Sequence, residues 1–141
     1  MRKLYLIIIS LLLLYGCAGT GTKSYSDVAH SINEGVEKVF IYREESFFAN
    51  AVLMKVRLNA TEIAKLGVGE MVVGDGVVGT NTLEVKIGGL SGLGMKPPTV
   101  TFDLVDDQNT YFILTIKRGL VVNKIKIFET LKSSWQRQVK E

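Results

Sequence analysis

"VLMKVRLN", residues 52–59, sets Val52, Met54, Val56 and Leu58 on one side of an extended chain and Leu53, Lys55, Arg57 and Asn59 on the other. Successive side chains of a strand point to opposite faces, so this alternation describes a strand with one dry and one wet side. The same period recurs. "TLEVKI" (82–87) sets Leu83, Val85 and Ile87 against Glu84 and Lys86, and "TVTFDLV" (99–105) sets Val100, Phe102 and Leu104 against Thr101 and Asp103. "VFIYR" (39–43) opens the series. "YFILTIK" (111–117) and "VVNKIKIF" (121–128) close it, with "DDQN" (106–109) and "RG" (118–119) as the turns of a late antiparallel meander.

"EIAKL" (62–66) and "EMVVGDGVVG" (70–79) are weaker candidates, because glycine inside a strand weakens it and marks a bulge or a close backbone approach. Short, twisted strands are expected there. Roughly six to eight strands with no long helical pattern among them predict an all-β chain, a small antiparallel β-sandwich, and argue against a crossover α/β fold. The period changes only near the ends. Leu131, Trp135 and Val139 fall four apart, predicting a short C-terminal helix that lays Trp135 over the sheet. Upstream, Val28 and Ile32 stand four apart with Gly35 as a stop, predicting one short helical turn between Asp27 and Gly35.

The N-terminus carries a different signal. Arg2 and Lys3 precede an apolar run from Leu4 to Tyr15, broken only by Ser10 and ending in Gly16 and Cys17. A basic start, a short apolar stretch and a small residue before a cleavage point make a secretory signal. Spanning a bilayer as an uncleaved helix takes about 20 apolar residues, more than this run holds. With Leu14, Tyr15, Gly16 and Cys17 the segment resembles the bacterial lipobox, although Tyr15 stands where that pattern usually has a smaller or β-branched residue. The resemblance implies that Cys17 is diacylated and becomes the mature N-terminus. It also implies, from Ala18 in place of aspartate and given a Gram-negative host, an outer-membrane address facing the periplasm. Two or three acyl chains anchor stably where one does not. The alternative is an ordinary signal peptide or short anchor followed by a plain thiol; Cys17 is the only cysteine, so no disulfide forms within the chain.

Loss of Arg2 and Lys3 with the leader takes two from a formal charge of +3. The remaining lysines are scattered singly, without the basic stripe that nucleic-acid binding requires, and no nucleic-acid partner is expected. The expected organisation is a signal peptide over 1–16, a lipidated tether over 17–35 carrying the short helical turn, and the sandwich with its C-terminal helix over 36–141. "AGTGTKSYS" (18–26), small and polar, reads as the flexible part of that tether.

"VFIYREESFFANAVLMKVRLNATEIAKLGVGEMVV", starting at Val39, resembles a family of uncharacterised bacterial envelope lipoproteins, the likeness running over about residues 37–128. The resemblance implies a small β-sandwich of transthyretin-like or PEGA-like type. Tyr42 and Arg43 at the end of the first strand, and "TYFI" (110–113), are its recognisable positions. "GGLSGLGMKPP" (88–98) departs from the family's usual short hairpin. The family has no agreed activity, so the resemblance brings a fold and an address but no reaction.

Independent chemistry is sparse. His30 is the only histidine and lies in the expected tether, which leaves a Ser-His-Asp triad without a fixed base. One histidine and scattered carboxylates lack the clustered nitrogen and sulfur ligands that zinc prefers. Asp103, Asp106, Asp107 and Asn109 offer calcium-type oxygens, but adjacent acids before "QNT" read as a hairpin tip. "GVGEMVVGDG" lacks the dinucleotide and P-loop spacings. No catalytic residue, metal or cofactor is expected. Arg43 either pairs with a nearby acid or presents its planar fork to a ligand carboxylate.

Two functional expectations follow. The first is a non-enzymatic lipoprotein, membrane-bound through its lipid, that binds another envelope protein by an exposed strand edge or by the 88–98 loop with Leu90 and Leu93. By fold analogy, one form of it is an accessory lipoprotein of a secretion or surface assembly. The second is a periplasmic small-ligand binding protein with an inter-sheet pocket near Tyr42, Arg43 and Tyr111.

Overall fold

The computed structural model describes residues 19–46, 52–88, 92, 96–117 and 124–140. Within them the chain forms α1 (Tyr25–Glu34), β1 (Lys38–Arg43), β2 (Met54–Leu58), β3 (Thr61–Leu66), β4 (Met71–Asp75) and β5 (Gly79–Ile87). It continues with β6 (Thr99–Leu104), β7 (Thr110–Lys117), β8 (Lys124–Thr130) and α2 (Lys132–Lys140). A first sheet has the order β4-β1-β7-β8 and a second the order β3-β2-β5-β6. All pairings are antiparallel except β1 with β7, which is parallel. The molecule is thus mostly β, in two antiparallel-rich sheets with a short C-terminal helix.

The alternating strands do what their period predicts. Met54, Val56 and Leu58 of β2, Leu83, Val85 and Ile87 of β5, and Phe102 and Leu104 of β6 face the first sheet, meeting Val39 and Ile41 of β1 and Phe112 and Leu114 of β7. Phe102 and Phe112 close this core edge to face across the sheets, with ring centroids 4.8 Å apart. Fully burying each such side chain stabilises the fold by roughly 1.5–3 kcal/mol.

The first sheet is different, because its other face is dry as well. Phe40, Tyr42, Met71, Tyr111 and Ile113 form a second core with Val28 and Ile32 of α1 and Trp135 of α2. β1 and the first half of β7 therefore have no wet side, and their apolar runs are continuous for the reason that strands covered on both faces always are. Reading "VFIYR" as the start of an alternation with one wet face needs that correction.

Trp135 is the centre of the second core. It is wholly buried, lies 5.6 Å edge-on from Phe40, which stacks on Tyr111 at 4.9 Å, and donates its indole N–H to the Phe112 carbonyl at 3.2 Å. Val139 packs beside it. Leu131, expected on the same face, stands just ahead of α2 and is 74% exposed. The apolar stripe of the helix is thus two residues long.

Two other expectations change. β6 and β7 do not form a hairpin: β6 pairs with β5, while β7 crosses to the first sheet beside β1, so "DDQN" joins two sheets instead of two neighbours. Only the β7–β8 pair of the expected meander is antiparallel, and its "RG" turn lies outside the described residues. The tether also proves to be structure from Thr20 onward. The Thr20 N–H donates to the Lys65 carbonyl at 2.8 Å, and Thr22 exchanges two backbone hydrogen bonds with Met71 at 3.0 and 2.8 Å. α1 runs for ten residues, buries Val28 and Ile32, and is closed by Gly35 N–H on the Ser31 carbonyl. Among the described residues, hydrogen bonding into the sheets thus already starts at Thr20, ahead of Val36, and the Val28/Ile32 stripe covers the outer face of the first sheet.

The weaker candidates, β3 and the glycine-bearing β4, are full members of their sheets. A side chain at Gly74 would meet Ile63 Cδ1 and Leu58 Cδ2 at 3.0 Å, so the glycine marks the place where the edge of one sheet leans on the other. No helix among the described residues is long and apolar enough to cross a membrane.

Candidate functional site

β1 runs between two poles of the molecule. At its start, the near ends of α1 and the β2–β3, β4–β5 and β6–β7 connections gather; we call this the far pole. At its end lie the β3–β4 turn and the segment that begins at Gly19; we call this the near pole.

Tyr42 and Arg43 are consecutive in a strand and therefore point to opposite faces. Arg43 turns into the near-pole end of the inter-sheet core, where it is 1% exposed. Its Nη1 donates to the Leu66 carbonyl at 2.8 Å and to the Val52 carbonyl. Burial lowers its pKa, partly offset by the Glu70 carboxylate. Glu70 itself is held by the Gly67 N–H at 2.8 Å, and its backbone carbonyl accepts from the Arg43 N–H at 2.9 Å. Arg43 thus seals one end of the core by satisfying carbonyls that would otherwise face apolar surroundings. It tethers β1 to the ends of β2 and β3 rather than opening toward solvent.

Tyr42 and Tyr111 face the helices. Both are buried and both have pKa values above the ordinary phenol range. The cause is desolvation first; Glu45 and Glu44 then reinforce it at Tyr42, while a hydrogen bond from Asn109 opposes it at Tyr111. Tyr42 borders a cavity of about 620 Å³ outside the sheets, shared with Lys23, Glu44, Glu45, Gln138 and Lys140. Tyr111 lies deeper, stacked on Phe40, and does not border it. The three residues expected around one inter-sheet pocket are therefore not brought together, and the described space between the sheets is filled by buried side chains. Cys17, Leu90 and Leu93 lie outside the described residues.

Other candidate chemistry is dispersed. The His30 side chain is 77% exposed on α1, 3.4 Å from Glu34. Asp103 accepts from the Thr80 hydroxyl at 2.8 Å. Asn109 Oδ1 accepts from the Lys38 N–H, and its Nδ2 donates to the Gly35 carbonyl, each at 2.8 Å, so two of the four candidate oxygen donors, Asp103 and Asn109, are engaged within the fold. Among the described residues no group of three or more histidine, cysteine, aspartate or glutamate side chains could hold a metal.

One residue escaped the sequence reading. Asn81 is 1% exposed at the far-pole end of the core, with its Oδ1 accepting from the Val77 N–H at 3.0 Å and from Asn59 Nδ2 at 2.8 Å. Its Nδ2 donates to the Val77 and Gly79 carbonyls at 2.6 and 2.8 Å. The signal was present: Asn81 is in phase with the inward residues Leu83, Val85 and Ile87, where a polar group needs a full set of partners.

The strand edges differ. On one side, residues 20–22 lie against β3 and β4, the edge strands of both sheets. On the other, β8 carries exposed Lys124 and Lys126, while β6 exposes Thr99, Thr101 and Asp103 and pairs only with β5 among the described residues. Lysines on an edge strand discourage addition of a further strand. Set against protein-family models, curated proteins and solved structures, the chain matches none.

Proposed function

We propose that the protein is a non-enzymatic lipoprotein, held in a bacterial envelope leaflet by acyl chains on Cys17, that docks another envelope component along the edge of β6 that no strand covers among the described residues. The observation that carries this reading is a short distance along the chain: Thr20, the first of the described residues to be hydrogen-bonded into the sheets, follows three positions after a cysteine that closes an apolar run. An extended chain covers at most about 3.6 Å per residue, so a lipid on Cys17 would seat the near pole within roughly 11 Å of its attachment point. The near pole is then the part of the domain held next to the membrane. An outer-membrane address follows if the host is Gram-negative, and an accessory role in a secretion or surface assembly is one form of the same reading. The transthyretin-like type is supported by the two strand orders together with the parallel β1–β7 pair.

The mass of the mature chain tests the anchor. Wild type should carry acyl chains on Cys17 and partition with membranes, and Cys17→Ser should do neither; an unchanged mass and distribution overturns the anchor. A photo-crosslinking side chain at Thr101 should yield a protein adduct that the same group at Lys126 does not, and equal yields would overturn the choice of edge. A second reading, a small-ligand binder, has one observation in its favour: the cavity beside Tyr42 is within the roughly 300–1,000 Å³ of ligand pockets. Its lining of two lysines and two glutamates would suit a small polar ligand.

A further inference from the structure

Four valines stand about half exposed at the far pole: Val36, Val77, Val78 and Val105, at 49–55%. They belong to three different connections that the backbone brings side by side. The β1–β4 register pairs Lys38 with Asp75, and just beyond it the Gly76 N–H donates to the Glu37 carbonyl at 2.9 Å, between the neighbours of Val36 and Val77 in the chain. The β5–β6 register ends with Gly79 paired to Leu104, the chain neighbours of Val78 and Val105. Aliphatic side chains left in water cost free energy, and four together on a small domain mark a contact surface more often than four apart.

The surface is fixed before any partner arrives. Asn81 holds both ends of the 77–79 loop, and Asn109 joins the residues before β1 to those before β7. Little conformational freedom is left to lose on docking. The charge around the valines has one dominant sign. Glu37 follows Val36, Asp75 stands two residues before Val77, and exposed Asp106 and Asp107 follow Val105; of the cations at this pole, Lys38 is bonded to Asp75, and Lys132 donates to the Ile32 carbonyl at 3.1 Å.

We infer that the far pole docks a protein segment that carries aliphatic side chains flanked by lysine or arginine. The valines supply the dry contact and the acids select the sign of the partner. An anionic lipid surface is disfavoured by the same acids. On the anchoring reading this pole is the one turned away from the membrane; that orientation rests on the anchor, whereas the surface itself does not.

The test uses photo-crosslinking side chains at positions 77, 78 and 105 of the full-length protein in its host, with positions 55 and 86 on the outer face of the second sheet as controls. The contacted segment is identified by mass spectrometry. The inference expects adducts from 77, 78 and 105 only, to a segment combining aliphatic and basic residues. It also expects at least a tenfold drop in yield with Asp106→Lys and Asp107→Asn together, the asparagine retaining the positive φ of position 107. Adducts to phospholipid, to a second copy of this chain or to an acidic segment would overturn it, as would equal yields from the control positions or no adduct at all. Cys17→Ser, read separately by mass, distinguishes failure of the anchor from failure of the surface.

Discussion

The two sheets solve the same problem with different neighbours. The first is covered on both faces, by the second sheet inside and by α1 and α2 outside, and its central strands are apolar throughout. The second keeps one face in water, and its strands β2, β5 and β6 alternate. Even their polar plugs are placed at opposite poles: Arg43 ends the core from the first sheet, and Asn81 ends it from the second. The difference teaches that the two short helices are structural walls of the first sheet, not appendages.

The sharpest way to break that comparison is to remove a wall. Trp135→Ala should cost about 3–5 kcal/mol, the usual range for deleting a buried tryptophan, and should leave the Phe112 carbonyl without its indole donor. Lys86→Ala, on the wet face of the second sheet, should change stability by no more than about 0.5 kcal/mol. Equilibrium unfolding in denaturant reads both. If the two losses came out alike, α2 would not be a wall.

A second test works through protons. The second sheet contains no tyrosine, whereas Tyr42 and Tyr111 are buried against the helices on the first with raised pKa values. Above about pH 10, the unfolded chain would release these phenolic protons before the folded one does. The unfolded state then binds fewer protons, so folding stability falls as pH rises through the interval between the two values. Unfolding measured at stepped alkaline pH should show this slope, and Tyr42→Phe with Tyr111→Phe should flatten it.

How much of this was legible in the sequence follows the same division. The second sheet could be read strand by strand, because a half-wet strand writes its orientation into a period of two. The first could be located but not oriented, since "VFIY" and "YFIL" have no polar positions to mark a face. The crossing of the β6–β7 connection and the parallel β1–β7 pair were hidden for another reason: both are set by long-range packing, and two acids in a turn look alike in a hairpin and in a crossing. Val28, Ile32 and Trp135 were visible as helical stripes, yet what they covered was not. Of the candidate site, Tyr42 and Arg43 were found as residues, but their adjacency in a strand already implied that they could not share a pocket.

The finest distinction lies in the one hairpin the second sheet closes in two residues. Leu58 and Thr61 are paired, and both residues between them have positive φ, 49° at Asn59 and 67° at Ala60. Such a turn favours asparagine followed by glycine, and an alanine held there costs about 1–2 kcal/mol against the Cβ. Glycine loses roughly 0.5–1 kcal/mol of that advantage through the greater freedom of the unfolded chain. Ala60→Gly should therefore stabilise the protein by about 0.5–1 kcal/mol, since the Ala60 carbonyl that accepts from Arg57 Nη2 at 2.7 Å is retained. Asn59→Gly relaxes the same backbone conformation but removes the side chain that bonds Asn81 Oδ1 and the Thr82 N–H, and it should destabilise. Opposite signs for two adjacent glycine substitutions, read by thermal unfolding, would separate backbone strain from side-chain bonding; equal signs would mean that the bonds to Asn81 and Thr82 contribute less than the turn itself.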